Sequence, residues 1–125
     1  MLERMKLATV FLITIGTVGI SMEKPFNPLI GETYQGWIDG CPIYLEQVSH
    51  HPPRSSYIMY GRGYKIYGQI EPKIELGMNS IKGYNDRENI IEFDDGAKLS
   101  FSIPKLVIKG MIFGDREFNF EDKSN

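Results

Sequence analysis

The two histidines of the chain, His50 and His51, are adjacent and are followed directly by Pro52 and Pro53. Imidazole titrates near neutral pH, so histidine serves in acid–base catalysis, in metal binding and in the binding of anions. The prolines stiffen the segment and hold His51 in an extended conformation, because a residue that precedes proline is disfavoured in the helical region. The sequence therefore predicts a presented, preorganised pair of histidines.

The neighbours of this pair limit the chemistry that it could perform. A metal ion needs a third ligand, and the nearest candidate, Glu46, would lie about 13 Å from His50 along an extended strand. Nucleophilic catalysis would need Ser49 beside an oriented base, but successive residues of an extended chain point to opposite faces. An enzyme that uses a histidine as acid or base is therefore the least supported hypothesis. We expect no catalytic residue, no metal and no cofactor.

Anion binding needs fewer neighbouring groups than metal binding or nucleophilic catalysis does. Two imidazole N–H donors and one lysine can surround a phosphate monoester with charge-assisted hydrogen bonds. The second pKa of such a phosphate is about 6 and that of imidazole about 6.5, so each group favours the charged form of the other. The residues alone also allow a simpler interpretation, in which each histidine contacts solvent or makes a structural hydrogen bond.

The composition defines the class of chain that carries this pair. Its 125 residues are 42% hydrophobic and 24% charged, which is typical of one globular domain. The 14 basic and 16 acidic residues give a net charge of −2 and form no basic block, which argues against a nucleic-acid partner. The single cysteine, Cys41, excludes an internal disulfide.

The histidines belong to a region that is predicted to be β structure. Apolar and polar residues alternate over Tyr64–Ile70, and Asp39-Gly40 is a typical hairpin turn. Pro52 and Pro53 are expected to end regular pairing after the histidines. Turn signals at intervals of about 8 to 12 residues favour an antiparallel meander, a sandwich or a barrel. The expected strands are Thr33–Ile38, Ile43–Val48, Ser56–Tyr60, Tyr64–Ile70, Asn89–Phe93, Ala97–Ile103, Leu106–Phe113 and Arg116–Phe120. Between them, Ile74 and Leu76 continue the apolar alternation after Pro72, and Asn79–Lys82 is a short strand or a turn.

The segment before these strands allows two interpretations. Leu7–Ile20 contains no charge and follows Arg4 and Lys6, which is the outline of a secretory signal peptide. The small residues Gly19 and Ser21 would provide its cleavage site. It is too short for a transmembrane helix, which needs about 20 apolar residues. The alternative is a buried helix or strand of the domain itself.

Two blocks of residues resemble the oxysterol-binding protein family of lipid-transfer proteins. Glu46–Pro53, which reads EQVSHHPP, is similar to the fingerprint of that family. Lys24–Tyr34, which reads KPFNPLIGETY, resembles a second block and stands in the right order. Weaker similarity follows at Tyr67-Gly68, Gly77–Ser80 and Pro104–Gly110, so the resemblance covers residues 22–120. Residues 4–20 weakly resemble the helix that precedes the lysine block, which makes a secretory signal peptide at residues 1–21 the minor alternative.

The resemblance implies a fold and a ligand. The fold is mainly β: an antiparallel meander that forms part of an incomplete barrel around a lipid tunnel, with a short N-terminal helix. The ligand is a sterol or a phospholipid, exchanged against phosphatidylinositol 4-phosphate. The implied headgroup residues are Lys24, Asn27, His50 and His51, with further help from backbone amides near Leu29.

The resemblance also implies a setting for the molecule. Residues 1–125 would be a single partial ligand-binding domain, because the lid and the C-terminal half of the family domain are not found in the sequence. We expect a cytoplasmic protein that contacts membrane surfaces transiently and binds no nucleic acid. Its function would be lipid transfer, or, as the alternative, headgroup binding by a truncated remnant that transfers nothing. Arg54 departs from the aliphatic residue usual after the fingerprint, and it could alter the tunnel mouth or face solvent.

Overall fold

The computed structural model describes residues 2–15 and 26–121, and these form one helix and an antiparallel β structure. The secondary structure elements, in chain order, are α1 Leu2–Ile15, β1 Thr33–Ile38, β2 Cys41–His50, β3 Pro53–Gly61, β4 Tyr64–Ile70, β5 Pro72–Leu76, β6 Ser80–Asn85, β7 Asn89–Phe93, β8 Lys98–Phe101, β9 Lys105–Lys109 and β10 Glu117–Glu121. The fold class expected from the sequence is confirmed. The suggested cleavage site of a signal peptide, at Gly19 and Ser21, lies outside the described residues.

The strands form two open sheets. The first sheet has six strands in the order β1-β2-β3-β4-β7-β8, and the second has four in the order β10-β9-β6-β5. Among the described residues, every pairing between neighbouring strands is antiparallel. Among the described residues, the outermost strands of each sheet pair with a neighbouring strand on one side only, as in a barrel that is not closed.

One long hairpin belongs to both sheets. Gly68 pairs with Asn89 where β4 meets β7, and Pro72 pairs with Asn85 where β5 meets β6. The paired residue numbers add up to 157 in both places, so the register does not change across the bend between the sheets. We call this hairpin, residues 64–93, the ribbon. Its turn closes with a hydrogen bond from the Gly77 N–H to the Ser80 carbonyl.

The fully buried apolar core is small. Ile66 and Ile91 face each other across β4 and β7 and are 3% and 0% exposed, and Val107 of the second sheet is 1% exposed. Helix α1 is attached to the first sheet through Arg4, whose guanidinium pairs with Asp95 and lies 4.6 Å from the centre of the Phe93 ring. The strands themselves hold this fold together, through their ladders of hydrogen bonds, more than a thick apolar centre does.

Two of the sequence-based expectations need correction. Regular pairing does not end at the two prolines, because β3 begins at Pro53, which pairs with His50. Strand β9 ends at Lys109 and does not reach Phe113, because Gly110 adopts a φ of 71°, which turns the chain out of the strand.

Candidate functional site

The histidine pair lies at the turn between β2 and β3. His50 is the last residue of β2, and His51 begins the turn; both are exposed. Their ring centres are 4.5 Å apart, with 58° between the ring planes. A register shift between Gln47 and Ser49 precedes the turn. The sequence prediction of a presented, paired arrangement of the two rings agrees with this geometry.

We call the turn that carries His50 and His51 the histidine turn. It lies at one end of the first sheet, and His50 points to the same side of that sheet as its inner face. Side chains alternate along a strand, so Pro53, Tyr57 and Met59 of β3 point to the same side. His50 is the cross-strand partner of Pro53 and therefore points to that side as well. An imidazole is thus placed at the end of the sheet face that carries Tyr57 and Met59.

The lysine block, which is the segment Lys24–Tyr34, is joined through Gly31 and Glu32 to β2, the strand that ends at His50. The Gly31 N–H donates to the Gln47 carbonyl at 2.8 Å, and the Gln47 N–H donates to the Glu32 carbonyl at 3.1 Å. These bonds continue the ladder that pairs Thr33 with Glu46. Asn27, which is exposed, precedes Gly31 by four residues along the chain.

The amide of Leu29 already has a partner within the chain. Its N–H donates to the Glu32 carboxylate at 2.6 Å. The resemblance implied that amides near Leu29 help to bind an anion, and the carboxylate shows that this N–H can hold one. A phosphate at this amide would have to displace the Glu32 side chain.

An apolar groove runs along the inner face of both sheets. Its first part has a volume of about 260 Å³ and its second part about 290 Å³, and Ile70 and Ile103 line both. The first part is also lined by Ile38, Ile43, Leu45, Tyr57, Met59, Ile66 and Asn89. Since ligand pockets usually measure about 300 to 1,000 Å³, the two parts together are large enough for a small apolar ligand. This lining was not predicted from the sequence, although the alternation of Ile43 and Leu45 on β2 was its signal.

A hydrogen-bonded pair of polar side chains lies within the apolar lining. The Tyr57 hydroxyl donates to Asn89 Oδ1 at 2.6 Å, and Asn89 is 0% exposed. Burial raises the pKa of Tyr57 to about 12, so the phenol keeps its proton at neutral pH. Gly68 lies beside this pair, and a Cβ atom there would be 2.6 Å from Asn89 Oδ1. The small residue leaves room for the amide inside the groove.

Arg54 neither enters the groove nor points freely into solvent. It is half-buried, and its Nε donates to Glu71 Oε2 at 2.9 Å. The same oxygen accepts hydrogen bonds from Arg87 Nε at 3.0 Å and from Arg87 Nη2 at 2.7 Å. The adjacent Asn85 side chain accepts from the Glu71 N–H at 3.0 Å and donates to the Gln69 carbonyl at 3.0 Å. This junction cluster of Arg54, Glu71, Asn85 and Arg87 lies where the ribbon bends between the sheets.

Of the four predicted headgroup residues, the structure places His50 and His51 side by side at the β2–β3 turn, and Asn27 is exposed in the segment before β1. Lys24 lies outside the described residues. Within the described parts of the chain, no group of three or more histidine, cysteine, aspartate or glutamate residues could hold a metal ion. Among the same residues, no helix is long and apolar enough to span a bilayer.

Comparisons with known proteins identify the class of protein to which this fold and site belong. The family model described as "Oxysterol-binding protein" matches residues 1–125. Oxysterol-binding protein 9 of Dictyostelium discoideum is 37% identical over 122 residues, and the match covers 95% of this chain and 28% of the relative. Oxysterol-binding protein-related protein 2 of Mus musculus is 36% identical over 86 residues, and the match covers 65% of this chain and 18% of the relative. The chain belongs to the oxysterol-binding protein family, as its two sequence blocks predict.

Solved structures show the same fold. The Osh3 ORD of Saccharomyces cerevisiae, crystallised in complex with PI(4)P, superposes with a TM-score of 0.83 at 23% identity over 93% of this chain and 33% of its own. The Osh1 ORD domain in complex with cholesterol gives a TM-score of 0.78 at 21% identity over 94% of this chain and 30% of its own. The chain therefore spans about a third or less of the length of these relatives.

Proposed function

We propose that this protein binds a lipid and transfers it between membranes. In this function a sterol or phospholipid occupies the apolar groove and is exchanged against phosphatidylinositol 4-phosphate. The observation that carries the proposal is the common face of the histidine turn and the groove. An acyl chain leaves one apolar medium for another, so its transfer costs little hydrophobic free energy. A phosphorylated headgroup needs charged donors at the end of that groove, because an unpaired phosphate away from water is costly.

We assign the headgroup contacts to four residues. His50 and His51 would donate ring N–H groups to the phosphate, and Lys24 would add a full positive charge. Asn27 would donate its side-chain amide to the headgroup from the neighbouring block. Sterol makes no use of these cations, so the two ligands would compete for the groove while only one of them depends on the histidines. No catalytic step is needed at any of these residues.

The proposal is tested by extraction of lipid from liposomes. His50→Ala combined with His51→Ala should abolish extraction of phosphatidylinositol 4-phosphate and leave sterol extraction within about twofold of the original, since sterol lacks the phosphate. Arg62→Ala is the matched control, because Arg62 is an exposed cation at the β3–β4 turn, at the other end of the sheet. Phosphoinositide extraction that is unchanged in the double variant would sink the assignment.

A second candidate follows from the openness of the two sheets. A protein of this kind, the remnant of the sequence analysis, could bind a phosphoinositide headgroup at the histidine turn without enclosing the acyl chains. Such a protein would co-sediment with vesicles that contain phosphatidylinositol 4-phosphate but would leave no lipid in the supernatant. Lipid recovered in the supernatant with the protein supports transfer, and co-sedimentation alone supports the remnant.

The proposed setting is the cytoplasmic surface of membranes. An apolar groove and a turn with two histidines would serve a lipid and its headgroup only where the protein meets a bilayer. We propose transient, peripheral contact for this reason.

A further inference from the structure

Two neighbouring turns of the second sheet expose large apolar side chains. Leu76 and Met78 lie at the turn of the ribbon, and Ile112 and Phe113 lie in the segment between β9 and β10. These four side chains are between 67% and 90% exposed. We call them the tip surface. Contiguous exposed apolar side chains on a soluble chain mark a site of contact with another apolar surface.

Asn79 holds the two turns of the tip surface together. Its side-chain Nδ2 donates to the Phe113 carbonyl at 2.7 Å, and its Oδ1 accepts from the Ile112 and Phe113 N–H groups at 2.8 and 3.2 Å. Its backbone carbonyl accepts from the Met111 N–H at 3.4 Å. One residue thereby satisfies four backbone groups of a segment that lies more than 30 residues away along the chain.

This pattern of hydrogen bonds indicates what kind of partner the tip surface fits. A segment that enters the hydrocarbon boundary of a bilayer must have its backbone polar groups satisfied from within, because the lipid tails offer no partners. The amides of residues 111–113 meet that requirement, and for the same reason they are not available to pair with the edge of another sheet. The side chains of the tip surface are exposed while the N–H groups of residues 111–113 are bonded within the chain, a combination that suits a lipid surface and leaves a β-strand partner no donors there.

The distribution of charge points to the same partner. Residues 76–81 and 110–114 contain no ionisable side chain. Glu75, Lys82, Lys109 and Asp115 flank the two segments directly, so the charged side chains form a rim around an uncharged tip. An apolar end with charges one residue behind it suits an interface in which side chains enter the acyl boundary and the rim stays in water.

The position of the tip surface agrees with contact during lipid exchange. β4 leaves the first sheet at the end where Ile70 pairs with Ser55, and this is the end that carries the histidine turn. The ribbon continues from there without a change of register to the turn at residues 77–79. A membrane touched by the tip surface would therefore be met on the histidine side of the first sheet.

We propose that the tip surface is a membrane-contact site, in which Met78 and Phe113 enter the interface of the bilayer and Asn79 positions the two turns. The purpose of this contact rests on the proposed lipid-transfer function, but the residues that make the contact are different from those that bind the lipid. Neutral phospholipids suffice for this contact, because the residues that enter are uncharged.

The test uses one fluorescent side chain. Trp37 is the only tryptophan of the chain, so Trp37→Phe with Phe113→Trp places a single indole in the tip surface. With vesicles of neutral phosphatidylcholine, we expect a blue shift of the emission and quenching by brominated acyl chains. Trp37 itself, at the opposite end of the first sheet, should not be quenched in the unsubstituted protein. An indole at position 113 that is neither shifted nor quenched would overturn the proposal.

Vesicle partition gives a second measurement. Met78→Ser with Phe113→Ser should lower partition onto the same vesicles about tenfold, since two large apolar side chains no longer enter the interface. Asn79→Ala should lower partition as well, while Tyr34→Ser with Trp37→Ser, which removes exposed apolar side chains elsewhere, should leave it unchanged. If the serine variant keeps its partition but loses a dimer seen by sedimentation, a second copy covers the tip surface and the proposal is wrong.

Lipid extraction separates this proposal from the proposed function. If the unsubstituted protein extracts lipid but the indole at position 113 is not quenched, the membrane-contact site fails and the function stands. If the indole is quenched but no lipid is extracted, the function fails and the contact site stands.

Discussion

At the scale of single residues, Glu71 is the carboxylate on which the junction between the sheets depends. It is 7% exposed, and one of its oxygens accepts three hydrogen bonds from two guanidinium groups. The bonds from Arg87 and Arg54 hold the pKa of Glu71 below its usual value, against the opposing effect of burial. Charged and buried at once, Glu71 stabilises the fold only while both arginines are in place.

The lowered pKa of Glu71 predicts how stability depends on pH. A carboxyl whose folded-state pKa lies below its unfolded value of 4.5 stabilises the fold above that pH, and the stabilisation is lost as the pH falls through the folded pKa. Glu71→Gln should therefore lower the urea midpoint at neutral pH, and the difference from the unsubstituted protein should shrink below about pH 4.5. Glu117→Gln, on the exposed strand β10, is the control and should show no such trend. A constant difference between pH 3 and pH 7 would contradict this role of Glu71.

Residues close in sequence were easier to predict than residues joined by the fold. The fingerprint predicted that His50 and His51 form a pair, because the two residues are adjacent within one contiguous motif. The partner of Arg54 was not predicted, since Glu71 lies 17 residues away and meets it only through the register of β3 and β4. Periodicity within one strand carries no information on that register.

At the scale of elements, clear alternation predicted the strands well. The expected bounds Thr33–Ile38, Tyr64–Ile70 and Asn89–Phe93 are those observed. Strands β5 and β6 were less clear, because Pro72 begins one and Gly77 interrupts the sequence between them. The division into two sheets was not predicted, because it depends on the bend of the ribbon at Glu71 and on the link that follows Asn85.

Gly110 ends β9 and allows the chain to turn toward the tip surface. Its φ is 71°, and a Cβ atom there would lie 2.1 Å from the Asp115 carbonyl oxygen. Gly110→Ala should destabilise the protein by more than about 1 kcal/mol, because the backbone must both strain and move. Gly83→Ala is the matched control, since no atom lies within 4 Å of a Cβ there and its φ is not positive. Chemical denaturation measures both; equal stability of the two variants would refute this explanation of where β9 ends.

At the scale of the whole molecule, an open groove takes the place of a thick core. The sheets meet along Ile70 and Ile103, and few apolar side chains are fully buried elsewhere among the described residues. A groove of this kind exposes apolar surface to water until something fills it. The protein is therefore expected to be more stable with a lipid bound, because a ligand that binds only the folded state stabilises it.

A charge placed in the groove should prevent a lipid from entering it. Met59→Lys puts an ammonium group on the inner face of β3, and we expect loss of any lipid that co-purifies with the protein, because an unpaired charge in an apolar site is costly. Tyr60→Lys is the matched control, because Tyr60 is the next residue of the same strand and points to the other, exposed side. Native mass spectrometry of the two variants checks the prediction, and lipid retained by Met59→Lys would show that the groove is not its site.

The unbroken register of the ribbon restricts how this protein can change in length. Ile66, Ile70 and Ile74 are separated by even numbers of residues, so they follow one face of the ribbon through the bend and into the second part of the groove. Adding or removing a single residue at position 71 would turn every later side chain of β5 to the opposite face. A substitution at the bend replaces one side chain and leaves the faces of the later residues as they are. An insertion or deletion there changes which side chains line the groove. The length of this link is therefore constrained more strictly than its sequence.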